Sequence, residues 1–258
     1  MRAWGLPIAL VLCLGFVRAD EATQKMLECM RANIPPTVRI QEVEITATDR
    51  TGADRMLKGK LYALKDKGLV RAMLKIGAPS DLSGAAYLMR ETQADRGDET
   101  YFYLPAVDRV RRITGASANA SLLGTDFSYE EMKQLQSAFS GSDAKLEKTE
   151  TLDQHLVQVL SLAPGAGSAA RYNTVRAWVD QKSCVALKIE FFEGDTVRKE
   201  LSAPAASLQQ SGNYWYLSEV LMRDLKDGTK TRLKIVGVSS GAEIPSRLFD
   251  PHTFYIGN

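Results

Sequence analysis

The chain has 258 residues, with 33 lysine and arginine side chains against 31 aspartate and glutamate, and so lacks the basic excess of a nucleic-acid binder. With 45% hydrophobic and 25% charged residues it has a globular composition, ruling out a disordered chain. Its length allows a sizeable core, and an all-β domain reaches that length without dividing.

Residues 1–19 read as an export signal. Arg2 supplies a short basic start, Ala3 to Val17 an apolar run, and Val17 and Ala19 flank Arg18 as cleavage sites require. About 15 apolar residues interrupted by Pro7 fall short of the roughly 20 that a spanning helix needs. Cys13 lies mid-run behind bulky Leu12, a poor setting for lipid attachment. Cleavage after Ala19 removes Arg2 and Arg18 but no acid, leaving a formally neutral domain over residues 20–258. With the export signal, and with no second apolar stretch near spanning length, the expectation is a protein outside the cytoplasm and not integral to the membrane. Two cysteines remain, Cys29 and Cys184. An oxidising compartment makes their pairing the first expectation, with two buried free thiols as the alternative. A bridge would tie the N-terminal segment to a central strand and contribute about 4–5 kcal/mol in the chain-entropy account.

Met26, Leu27, Met30 and Ala32 predict a short helix from Ala22 to Asn33, ended by Pro35-Pro36. Period-two stretches follow at Val38–Ile40 and Val43–Ala47, and the phase slip between them predicts a bulge near Gln41 or Glu42. Met56–Leu64 and Leu69–Ile76 flank Lys65-Asp66-Lys67-Gly68 as a β-hairpin. Further short strands are expected at 86–90, 100–104, 108–113, 156–162, 172–179, 185–192, 197–201, 214–222 and 231–238, with Ala163 to Ala170 as a hairpin loop. So many short strands with brief connections predict a large antiparallel sheet, curved or closed. One helix interrupts them: Ser128-Tyr129-Glu130-Glu131 has the S-x-x-E form of a capping box and leads into Met132, Leu135, Ala138 and Phe139. Thr114 to Ser121 upstream is small and polar, the composition of a mobile loop. Loop and helix together make either a lid or a helix closing one end of the sheet.

The chemistry-bearing residues are sparse. His155 and His252 stand in no metal spacing, two distant cysteines cannot form a C-x-x-C site, and neither a nucleophile elbow nor a phosphate-binding glycine loop is present. No catalytic residue, metal or cofactor is expected. The acids Asp126, Glu130 and Glu131 fit helix capping and dipole roles better than acid–base catalysis. Strands such as Tyr101–Leu104, Leu156–Leu160, Val185–Phe192 and Tyr214–Leu217 are apolar on both faces in places, and so must be covered on both.

Tyr101-Phe102-Tyr103-Leu104-Pro105-Ala106-Val107-Asp108-Arg109-Val110-Arg111-Arg112-Ile113, followed by Gly124-Thr125-Asp126-Phe127-Ser128-Tyr129-Glu130-Glu131, resembles the bacterial outer-membrane lipoprotein-sorting (LolA-like) family. Looser matches are the Cys29 helix before Pro35-Pro36, Trp178-Val179-Asp180 leading to Cys184, and Glu243-Ile244-Pro245 before Leu248-Phe249. The resemblance implies a mainly β single domain, an unclosed antiparallel half-barrel around a hydrophobic cavity that helices plug or cap. It implies non-enzymatic binding and transfer of a lipid, an acyl chain or a lipoprotein in the periplasm. An alternative is a module docking on an RND-type inner-membrane exporter. Phe127, Tyr129, Met132, Leu135, Phe102 and Trp215 are the expected cavity or lid residues. A hydrolase using Asp126 and His155 is the competing hypothesis from another class.

Overall fold

The computed structural model describes residues 14–93, 98–165, 171–240 and 246–256. Residues 1–13 of the expected export signal, 166–170 of the expected hairpin loop and 243–245 of the matched C-terminal motif lie outside them.

The first helix, α1 (Leu14–Ala32), precedes β1 (Arg39–Thr48), β2 (Asp54–Asp66) and β3 (Leu69–Ala78). The β2–β3 hairpin turns at Lys67 and Gly68, both with positive φ, the backbone geometry of a tight two-residue connection. β4 (Ala86–Arg90), β5 (Glu99–Leu104) and β6 (Arg109–Ile113) complete one wing. The chain then crosses inward through a 3₁₀ turn at Gly115–Asn119 and α2 (Tyr129–Gln136) to the far edge. There β7 (Asp143–Leu152), β8 (His155–Ala163), β9 (Thr174–Asp180), β10 (Ala186–Glu193) and β11 (Thr196–Ser202) form the second wing. A small hairpin, β12 (Leu208–Ser211) with β13 (Tyr214–Leu217), stands apart, and β14 (Glu219–Asp224) and β15 (Thr229–Ser240) return to the middle.

The main sheet has 13 antiparallel strands in the order β6-β5-β4-β3-β2-β1-β15-β14-β11-β10-β9-β8-β7. Its terminal strands β6 and β7 are not paired with each other, so the sheet is a half-barrel with open edges rather than a closed barrel. Register shifts at Glu42/Val43, Lys58/Gly59 and Phe191/Phe192 add the local twist that curls so wide a sheet. At Gly59 a Cβ would run into the Lys75 carbonyl, so only glycine permits this close approach of β2 to β3.

Both faces are covered, as the two-sided strands require. On the concave face Val43, Leu57, Leu74, Tyr87, Leu160 and Phe191 pack with Met26 and Met30 of α1 and with Phe127 and Met132 around the start of α2. On the convex face Met73, Ala86 and Leu88 lie under Leu248, Phe249 and Phe254 of the C-terminal segment, while Val157, Val159 and Trp178 lie under Leu208 and Leu217 of the small hairpin. Among the described residues no helix is long and apolar enough to cross a membrane.

Four elements differ from the sequence expectation, the first being α1, which starts at Leu14 rather than Ala22. The stretch read as one strand from Tyr214 to Met222 breaks at Ser218, whose backbone N–H and hydroxyl both donate to the Ser207 carbonyl, dividing it between two sheets. Thr114–Ser121 contains a 3₁₀ turn, in which the Ser117 hydroxyl donates to the Thr114 carbonyl and accepts from the Thr114 amide. β7 escapes the apolar pattern because it is an edge strand, and Lys145, Glu147, Lys148 and Glu150 give it the charges that discourage edge pairing.

Candidate functional site

A cavity of about 280 Å³ lies between the concave face, the C-terminal end of α1, the underside of α2 and the β12–β13 hairpin. Its walls are mostly aliphatic and aromatic: Met30 and Ile34 from the α1 end, Leu61 and Ala63 from β2, Ile189 from β10, and Val220, Leu233 and Ile235 from the central strands. Alternation places them there, since on β2 the residues Leu57, Gly59, Leu61 and Ala63 share one face and pair with Ile45, Val43, Gln41 and Arg39 of β1.

Four of the six residues expected from the sequence line this cavity: Phe127, Met132, Leu135 and Trp215. Phe102 and Tyr129 do not. They line a separate pocket of about 250 Å³ at the β5–β6 edge with Leu104, Arg109 and Arg111. The cause is rotation about the start of α2: Tyr129, at its first position, turns toward β4 and β5 and packs edge-on against Phe102, the ring centroids 5.4 Å apart. Burial pushes the Tyr129 hydroxyl above its ordinary titration range.

Both covering helices are held at identified points. Glu131 closes the capping box of α2, accepting at 2.8 Å from the Ser128 amide while its own amide donates to Ser128 Oγ at 3.1 Å. The same carboxylate accepts from the Tyr172 hydroxyl at 2.6 Å and from Lys199 Nζ at 2.9 Å. Burial, with Glu131 alongside, pushes the Tyr172 hydroxyl far above its ordinary value. At the other end of α2, Arg31 of α1 forms a two-pronged ion pair with Glu91, each arm at 2.8 Å, and donates to the carbonyls of Ser137 and Gly68 at 3.0 Å. One guanidinium therefore joins α1, the end of α2 and the β2–β3 turn. The Cys29–Cys184 disulfide is formed, with Cα atoms 5.7 Å apart, and anchors α1 to the β9–β10 turn rather than to a strand. The turn itself is held by Asp180, which accepts from the Ser183 amide and hydroxyl, both at 2.7 Å. Burial works against the ionised Asp180, but those two bonds and His155 prevail and keep its carboxyl below the ordinary 3.8.

A second, polar cavity of about 530 Å³ lies beyond the start of α2, and the alternation of Asp126, Phe127 and Ser128 separates the two: Phe127 faces the apolar side, its neighbours the polar one. Here Asp126 accepts from the hydroxyls of Thr229 and Thr231, and its carbonyl accepts from Lys199 Nζ at 2.6 Å. His155 instead has Nδ1 3.1 Å from Asp180 Oδ1. Asp126 and His155 are thus engaged with different partners, not with each other, which removes the geometry that a hydrolytic pair needs.

Among the cavity residues that sequence reasoning missed, two carry buried polar groups without partners. Arg39, at the start of β1, and Gln136, at the end of α2, line it. Nε and Nη1 of Arg39 and both amide atoms of Gln136 are buried without a hydrogen-bond partner. Burial lowers the proton affinity of the Arg39 guanidinium, with Tyr216 and Tyr214 acting in the opposite sense. The phase slip in the sequence was the available signal for Arg39. The β1 residues 39, 41, 43 and 45 keep one face and one register with β2, so what changes along that face is its chemistry, from Arg and Gln to Val and Ile.

A family model described as an uncharacterized protein matches residues 68–254. No curated protein matches the sequence. Among solved structures, the chain is similar to a DUF1329 family protein from Desulfovibrio piger, at 20% identity, 90% of this chain and 97% of that one, with a TM-score of 0.81. It is similar to a putative outer membrane lipoprotein-sorting protein domain from Vibrio parahaemolyticus, at 20% identity, 91% and 99% coverage and a TM-score of 0.80. A LolA superfamily protein from Nitrosomonas europaea aligns at 18% identity, 88% and 97% coverage and a TM-score of 0.67. These likenesses establish the LolA-like half-barrel fold.

Proposed function

This chain belongs to the family whose model, described as an uncharacterized protein, matches residues 68–254, and from that premise we propose that it is a non-enzymatic periplasmic carrier of a hydrophobic cargo, a lipid, an acyl chain or a lipoprotein. The observation that carries the reading is the cavity of about 280 Å³ with mostly apolar walls, roofed by two helices on the concave face of an open sheet. Each methylene removed from water there contributes roughly 0.8 kcal/mol, so an aliphatic wall retains an acyl chain without many specific contacts. Residues 1–19 act as the cleaved export signal and residues 20–258 as one carrier domain. Phe127, Met132, Leu135 and Trp215 contact the tail of the cargo. The protein-docking alternative, on an RND-type exporter, has no observation in its favour.

The test is direct. The mature protein is purified from periplasm without detergent and extracted with organic solvent, and the extract is read by mass spectrometry. A stoichiometric lipid is the expected result. An empty extract, together with no uptake of added lipid, would overturn the reading.

A further inference from the structure

The apolar cavity contains a single kind of charge, and it is positive. Arg39 is the one charged side chain on its wall, and no aspartate or glutamate lines it among the described residues. Its Nε and Nη1, and both amide atoms of Gln136 on the same wall, are buried with no partner. Elsewhere this chain pairs such cations: Arg198 reaches Asp224 at 2.8 Å and Lys199 reaches Glu131 at 2.9 Å. Guanidinium N–H groups withdrawn from water without an acceptor are costly, and so is a buried amide with no hydrogen-bond partner. Two such groups on one mostly apolar wall fit a ligand that arrives with the missing acceptors.

Resting on the carrier reading, we infer that the cargo is an amphiphile with an anionic head, a carboxylate or a phosphate monoester. Arg39 and Gln136 hold the head, and the hydrocarbon tail lies along Leu61, Leu135, Ile189 and Leu233. The planar fork of arginine matches the paired oxygens of either head, and the Gln136 amide adds a donor. An ammonium head is repelled by Arg39, and a neutral alcohol offers a single acceptor oxygen without the opposing charge or the second oxygen. At about 280 Å³ the space stands at the lower end of small-molecule pockets, a size suited to one chain rather than several.

Four ligands of equal chain length test this: palmitate, hexadecyl phosphate, hexadecanol and hexadecylamine. Each competes with a neutral fluorescent apolar probe in the delipidated full-length mature protein. Palmitate, hexadecyl phosphate or both should displace the probe at least about tenfold more effectively than hexadecanol. Whichever anion is stronger identifies the head. Arg39→Met should abolish that preference, and Arg39→Lys should restore part of it. Gln136→Leu, which leaves the charge in place, should reduce the preference and carries the test if Arg39→Met does not fold. Equal displacement by anions and alcohol in the wild type, or a preference that survives in folded Arg39→Met, would overturn the anionic head and leave the carrier reading standing. No displacement by any of the four would overturn the carrier reading, and this inference with it.

Discussion

The two cavities that meet at the start of α2 are opposites in how they treat buried charge. On the polar side Glu131, Lys199, Asp126, Tyr172 and Arg198 are joined by hydrogen bonds to one another or to neighbouring residues, and the result is a fastening for α2 and the strands beneath it. On the apolar side Arg39 and Gln136 sit among aliphatic walls with buried polar atoms left open. A buried charge that has a counter-charge, as Arg198 has in Asp224 and Lys199 in Glu131, explains itself structurally. One that is not partnered points to something the chain is built to receive. The larger, more highly charged cavity is therefore the structural one, and the smaller, mostly apolar one the candidate for function.

The largest test of this contrast concerns the covering layer that both cavities share. Replacing Cys29 and Cys184 by serine should lower stability by about 4–5 kcal/mol in the loop-closure account, measured by urea denaturation, because α1 loses its tie across 155 residues of sequence. A loss under about 1 kcal/mol would mean that packing alone seats α1.

On the polar side, Lys199→Met should cost about 3–5 kcal/mol, since it leaves the Glu131 carboxylate buried at 1% exposure without its cation. Adding Glu131→Gln should recover part of that loss, and a double variant no better than Lys199→Met would show that the network does not act as one unit. On the apolar side the same kind of replacement should have the opposite sign. Arg39→Met removes an unpartnered cation and should raise the stability of the ligand-free protein by about 1 kcal/mol, read as a higher unfolding midpoint. A loss of stability there would erase the distinction between the two cavities.

The smallest expected effect is on acid stability and lies in the β9–β10 turn below the disulfide. Because Asp180 titrates below its ordinary 3.8 in the folded protein, its contribution is complete above that value and is lost as pH falls through the folded-state value. Asp180→Asn should be less stable than wild type by about 1 kcal/mol at pH 7, and the gap should close near pH 2. A gap that persists at low pH would assign the effect to packing.

Much of the scaffold was legible from local signals. The β2–β3 hairpin follows from alternation and Gly68, and the α2 start from the Ser128–Glu131 capping box; the phase slip in β1 is not a bulge of β1, whose register with β15 shifts because β15 carries the extra residue Val236. Charged β7 was not legible, because an edge strand is selected against sticking as much as for packing. The site was legible in part. Phe127, Met132, Leu135 and Trp215 were singled out as apolar residues on the motif or on a two-sided strand, and they reach the cavity; Phe102 and Tyr129 carried the same signal and face another pocket.

What the sequence determined by itself was periodicity, punctuation and composition: which segments extend, where the chain turns, where α2 starts and which two cysteines are available to pair. These are local, since each depends on residues within a few positions of one another. Which face of a strand meets which helix, whether Asp126 finds His155 or two threonines, and that Arg39 and Gln136 share one cavity were decided only by the tertiary structure. Those outcomes join residues about a hundred positions apart through the curl of a sheet, and no local pattern encodes the distance between them.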